Sequence, residues 1–185
     1  MTTVVIVGDG PAGLSAGLFL AKNGVDTIVF GQDATAMHYA HLHNYLGVED
    51  LGGSDFQVVA RRQAAAHGAD LRDAEVTAIT PDDDDGGFLV QAGGDEVAAE
   101  YVILAGGKQA QSLAAALGAE RDGGRVPIDV EQRTVVDRLY AVGRVARPDR
   151  SQAIISAGAG AVAALDILSR EAGRDVHDWD SPPSD

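Results

Sequence analysis

The chain has 185 residues, enough for one domain with a substantial core. Its composition, 45% hydrophobic and 23% charged, places it among globular proteins and excludes a disordered one. A formal net charge of −14 without any basic stripe argues against nucleic acid as a partner.

Taken in chain order, Val4-Val5-Ile6-Val7 is a continuous apolar run, as expected of a parallel strand buried on both faces. Gly8-Asp9-Gly10-Pro11-Ala12-Gly13 follows at once, and Pro11 to about Asn23 reads as a helix ended by Gly24. Thr27-Ile28-Val29-Phe30 completes a βαβ unit. Residues 31–52 read as loop. Ser54 is the expected cap of a helix running to about His67. Short strands are expected near Asp70-Leu71-Arg72, then at Glu75–Thr80, Phe88–Ala92 and Glu96–Ala99. The last three form a small antiparallel meander, and the Asp82–Gly87 run is its solvated hairpin tip. That acidic run lacks the alternation and closing Glu of a calcium loop.

Tyr101–Ala105 is a further buried strand, followed by a loose helix near Ser112–Leu117. Leu139–Gly143 is a last short strand, and Gln152–Ala172 a long helix rich in Ala and Gly. The expected architecture is α/β, a Rossmann-like domain over residues 1–174 with a central parallel sheet. Residues 175–185 read as a frayed acidic Pro/Ser tail. No apolar run reaches the roughly 18–20 residues that span a bilayer, and no leader pattern opens the chain, so the expected location is cytoplasmic with no membrane partner.

The glycine pattern carries chemistry because of its context: a strand before it, a helix after it. Gly8 allows the tight turn, Gly10 admits a pyrophosphate to the backbone, and Gly13 lets helix and strand pack closely. The helix N-terminus offers free N–H groups to phosphate oxygens. The acid that usually ends the second strand and holds a ribose is displaced here, and either Gln32 or Asp33 is available for it. Cysteine is absent, which removes disulfides, thiolate ligands and every dithiol mechanism. Lys22 and Lys108 are the lysines, and Asp is abundant. This composition resembles that of proteins from salt-loving archaea, whose dense carboxylate surfaces stay hydrated in high salt.

Several segments in order resemble the FAD domain of the thioredoxin reductase family. They are VVIVGDGPAGLSAGLFLAKNG, HNYLGVEDLGGSDF, RRQAAAHGADL, EYVILAGG, RTVVDRLYAVGRV and SQAIISAGAGAVAALDIL. The resemblance implies FAD as cofactor, with the pyrophosphate on Gly8, Gly10, Pro11, Ala12 and Gly13. It implies Phe30, Gly31 and Gln32 at the adenosine end and backbone at Val76 facing the adenine. Asn44 would approach the flavin, Ala105 and Gly106 lie along the dinucleotide, and Gly143 and Arg144 sit by the ribityl chain. Gln152 and Ala153 would open a helix whose positive end faces the flavin's pyrimidine ring. A homodimer is the expected assembly.

Three features depart from the family. About twenty residues, between roughly 107 and 126, stand where the family inserts a nicotinamide domain, and a single crossover unit needs roughly thirty. The cysteine pair is missing. Arg144 replaces an aspartate that accepts a hydrogen bond from the ribityl chain, which a guanidinium cannot do. It would contact phosphate or the flavin carbonyl region, or face solvent.

His38, His41 and His43 admit two readings. One is a metal site or proton relay; the other, favoured because the flanking carboxylates lack metal-site spacing, is polar or packing residues of a loop. His41 and His43 share a side if this segment is extended. The expected function is therefore a flavin oxidoreductase with a diffusible or separate protein donor or acceptor, and with no assigned catalytic side chain or metal. Alternatives are a non-catalytic FAD module completing another chain, or an NAD-binding protein resembling thiazole synthase.

Overall fold

A computed structural model of the protein describes residues 2–82 and 86–181. Five parallel strands form the central sheet: β1 (Thr3–Val7), β2 (Asp26–Gly31), β5 (Asp70–Asp73), β9 (Tyr101–Leu104) and β10 (Leu139–Ala141), in the order β10-β9-β1-β2-β5. Strand β1 is central, and the Gly8–Gly13 loop leaves its carboxyl end. In open α/β sheets that edge is where ligands bind.

The apolar runs are explained by burial on both faces. Val5, Val7, Ile28, Val102, Leu104 and Leu139 point to one side. There they meet α3 (Lys108–Ala116) and the antiparallel meander of β6 (Val76–Asp82), β7 (Gly87–Ala92) and β8 (Asp95–Ala99). Val4, Ile6, Val29, Ile103 and Tyr140 point to the other side. They meet α1 (Pro11–Lys22), α2 (Gly53–Ala66) and α4 (Ala153–Ala172). Each large aliphatic fully buried in these two layers contributes roughly 1.5–3 kcal/mol relative to exposure. The α/β class with its meander is thus as expected.

Helices α1 and α4 cross at very short range. A Cβ at Gly160 would overlap the Ala12 carbonyl oxygen and lie 3.1 Å from the Ala16 nitrogen. The small residues of both helices therefore bring backbone against backbone.

Several local expectations are corrected. Residues 31–52 are not all loop: Ala36–Tyr39 form a 3-10 turn, and β3 (His41–Leu42) pairs antiparallel with β4 (Leu51–Gly52). Gly52, not Ser54, caps α2, and the Ser54 hydroxyl is 2.9 Å from His38 Nδ1 instead. Helix α3 begins at Lys108, a turn earlier than its pattern suggests. The segment after Arg174 is not frayed through its described part. Val176 N donates to Ser169 Oγ at 3.0 Å, and Lys22 pairs with Asp178 at 3.1 Å. The meander's acidic tip at residues 83–85 lies outside the described residues.

Helix α4, at 20 residues, is long and apolar enough by length and composition to cross a membrane, contrary to the expectation from apolar runs. Half of its apolar window is buried inside the domain, and it carries the buried, paired Asp166. Packing on the sheet accounts for its composition.

Candidate cofactor site

Strand β1 turns into α1 through Gly8, whose φ of +112° is the kind only glycine adopts without strain. A Cβ at Gly13 would overlap the Gly8 carbonyl oxygen, so the helix starts tight against the strand end. Gly10 is the N-cap and has no side-chain cap, which leaves the first-turn amides of α1 free. Gln152 is the N-cap of α4 and is likewise uncapped by its side chain. Pro11 and Ala12 of α1, with Ser151 and Ser156 from the region where α4 starts, line one cleft, whereas Gln152 and Ala153 themselves do not.

That cleft encloses about 230 Å³ and is lined by Gly8, Gly10, Pro11 and Ala12, by Ala105 and Gly106, and by Gly143, Arg144, Ser151 and Ser156. It shares Gly8, Asp9, Ala34, Gly106 and Gly107 with a second hollow of about 160 Å³, lined further by Phe30, Gly31, Gln32, Glu75, Val76 and Gln109. The sequence-derived residues for the pyrophosphate and for the adenosine thus fall in adjoining halves of one groove. Ala153 opens α4 and packs with Met37 and Leu42 beside the first half. Asn44 does not line either half; it lies on the exposed loop 43–49 that connects β3 to β4.

Asp9, the variable position of the glycine fingerprint, has a role its spacing does not suggest. It is 5% exposed and forms an ion pair with Arg61 of α2. Its Oδ2 accepts from Asp33 N at 3.0 Å, and its carbonyl accepts from Gln57 Nε2 at 2.6 Å. The Gln57 Oε1 is buried without a partner among the described residues. A Cβ at Gly31 would collide with the Asp9 carboxyl group, so Asp9 fills the space that a side chain at the end of β2 would take. Asp33 turns its own carboxylate to His38 at 3.2 Å, which leaves Gln32 as the strand-end residue in the adenosine half.

Gly31→Ala should therefore destabilise the fold by about 2 kcal/mol through overpacking. Trimming the neighbour in an Asp9→Gly/Gly31→Ala double variant should recover part of that loss. Denaturant unfolding of the four proteins measures the coupling; strictly additive effects would disprove the contact.

Arg144 is exposed at the mouth of the first half and has no hydrogen-bond or ion-pair partner among the described residues. Its sequence allows contact with phosphate, with the flavin carbonyl region or with solvent; the residue is exposed and lines the cleft. Arg144→Ala should weaken binding of a doubly anionic ligand several-fold, in line with about 1 kcal/mol for an exposed charge contact. Raising the salt should shrink the difference, and fluorescence titration with FAD reads both effects.

An α/β domain with a glycine-turn groove, two uncapped helix starts and a ribose-side hollow is a dinucleotide-binding domain. The profile of the pyridine nucleotide-disulphide oxidoreductases matches residues 49–164, and that of an FAD binding domain matches residues 1–44. The chain belongs to the pyridine nucleotide-disulphide oxidoreductase family, as an FAD-binding oxidoreductase.

Among solved structures it is similar to the atypical thioredoxin reductase TRi from Desulfovibrio vulgaris Hildenborough, at 21% identity and a TM-score of 0.81 over 91% of this chain and 97% of that one. A thioredoxin reductase from Gloeobacter violaceus is 18% identical, with a TM-score of 0.82 over 98% and 100%. The T. acidophilum thioredoxin reductase is 18% identical, with a TM-score of 0.79 over 93% and 100%. No curated protein sequence matches.

The groove fits FAD. Gly8–Gly13 and the start of α1 would hold the pyrophosphate, Gln32 and the Val76 backbone the adenosine, and the start of α4 the flavin end. When bound, FAD supplies hydride and electron transfer. The chain's own part is orientation and charge. The free N–H groups of α1 would meet the phosphates, and the positive end of α4 would favour negative charge on the flavin ring.

Proposed function

We propose that the protein accepts electrons onto FAD from a diffusible reduced nicotinamide or a separate protein, and passes them to an acceptor other than thioredoxin. The observation that carries this reading is the connection from β9 to β10. It holds α3 and an isolated Asp122–Arg125 bridge, with no second glycine-turn βαβ unit, in a sequence that also lacks cysteine. A flavin site without its own nicotinamide domain or dithiol needs both partners from outside. Self-association into a homodimer belongs to the same reading. Tyr39 and Leu46, at 95% and 89% exposure beside the hairpin, supply apolar surface for it. The acidic surface fits a salt-rich cytoplasm, with flavin retention rising as KCl is added.

The test is anaerobic mixing of the yellow protein with NADH or NADPH. Bleaching of the flavin band by either supports a diffusible donor. Bleaching by dithionite alone, with neither nucleotide active, replaces that donor with a protein partner. A colourless protein that retains a nicotinamide nucleotide would overturn the flavin reading in favour of the thiazole synthase-like alternative.

A further inference from the structure

The β3–β4 hairpin carries a side-chain cluster that the flavin reading does not use. Leu42 points inward, 3% exposed, and packs with Met37 and Ala153. The alternation of an extended strand therefore sends both neighbours outward on one side. His41 and His43 stack there, with ring centroids 4.4 Å apart. The antiparallel pairing of Leu42 with Leu51 folds Asp50 back to meet them. His41 Nε2 contacts Asp50 Oδ1, and His43 Nδ1 lies 3.9 Å from the same oxygen. The three donor atoms all lie within 4.8 Å of one another. His38 is not part of this group, because its two ring nitrogens are at 2.9 Å from Ser54 Oγ and 2.8 Å from the Asp33 carbonyl.

We propose that His41, His43 and Asp50 bind one divalent transition-metal cation of the zinc class on the outer side of this hairpin. Two neutral imidazoles and a carboxylate are the ligand set that borderline-soft divalent ions take, in preference to magnesium or calcium. Ligand atoms about 2.0–2.2 Å from zinc stand roughly 3.4 Å from each other in a tetrahedron, so the observed spacing closes on an ion through side-chain rotation alone. The exposed face leaves the remaining positions to water or to an incoming ligand. The ion would stand between His41 Nε2 and Asp50 Oδ1, which contact each other directly. Because Leu42 and Ala153 are in one packed cluster, the hairpin so fixed lies against the start of α4.

The sequence separation between the histidines and Asp50 hides this set; the turn that unites them is visible in the structure alone. The proposal does not depend on what donates electrons to the flavin. Purified full-length chain, stripped with chelator and then dialysed against micromolar Zn²⁺, should retain one equivalent by elemental analysis and show one saturable site by calorimetry. His41→Ala, His43→Ala and Asp50→Asn should each weaken binding at least tenfold. His38→Ala and His67→Ala should leave it unchanged. An unaltered flavin spectrum in every variant shows that the fold is intact, as expected for exposed side chains. Failure to retain zinc would overturn the site. So would equal binding by the triple variant, which would assign the zinc to the general acidic surface, or the loss of binding with one substitution but not the other two.

Discussion

Gly160→Ala is expected to lower the melting temperature by roughly 4–8 °C, for a net cost of about 2 kcal/mol, and to loosen FAD with it. The added Cβ would overlap the Ala12 carbonyl oxygen and approach the Ala16 backbone nitrogen at 3.1 Å, so the obstacle is main chain and cannot rotate away. Overpacking of this kind costs about 3 kcal/mol at the upper end of its usual range, against an intrinsic gain of up to about 1 kcal/mol for alanine in a helix. The displaced elements are the two helices that bring Pro11, Ala12 and Ser156 to the cofactor groove, which couples stability to flavin retention. Gly158→Ala, two residues away on the same helix, meets no atom within 4 Å. It should therefore be neutral or slightly stabilising. Thermal unfolding followed by circular dichroism and by flavin fluorescence distinguishes the two, and an unchanged Gly160→Ala protein would refute the close crossing.

Asp166→Ala is expected to destabilise by about 2 kcal/mol, the scale for leaving a buried donor without its acceptor, because the Arg133 left behind is partly exposed. Asp166 sits on α4 under the sheet, 8% exposed. It accepts from the fully buried Tyr140 hydroxyl at 2.5 Å and from Arg133 Nε at 2.7 Å. Its loss leaves the Tyr140 hydroxyl in an apolar layer without its acceptor. Burial pushes the Asp166 carboxyl up, but hydrogen bonds from Arg133 and Tyr140 outweigh it and hold the group below its ordinary value. A depressed carboxyl stabilises the fold fully above the unfolded value near 3.8, and the benefit is lost as pH falls through the lower folded value. The wild-type protein should thus lose stability steeply below about pH 4, and Asp166→Ala should show a shallower acid limb. Tyr140→Phe keeps the Arg133 pair and should cost nearer 1 kcal/mol. Parallel acid limbs for wild type and Asp166→Ala would show that the carboxyl is not held low.

The sequence announces β1, α1 and β2 because local pattern and tertiary burial agree there: apolar runs of strand length, with Pro11 and glycines at the turns. The pyrophosphate half of the groove is legible for the same reason. The β3–β4 hairpin is not, since strands of two residues hold no periodicity and their pairing depends on the packing of Leu42 against α4. Helix α3 starts earlier than read because Gly107 provides no side-chain cap to mark it. Asp9 escaped notice because its partners Arg61 and Gln57 lie 52 and 48 residues away. One local signal was available: an acid inside the glycine turn, paired with a glycine where the second strand usually ends in an acid.

The connection between α3 and β10 has a practical consequence for engineering. Gly118, Gly123 and Gly124 sit in left-handed turns with open space around them, while Val126, just beyond, is anchored by its N–H to the Val145 carbonyl at 3.0 Å. An exposed glycine turn flanked by firmly docked ends is where a host domain tolerates foreign sequence. A folded domain grafted there is therefore expected to leave the core unperturbed.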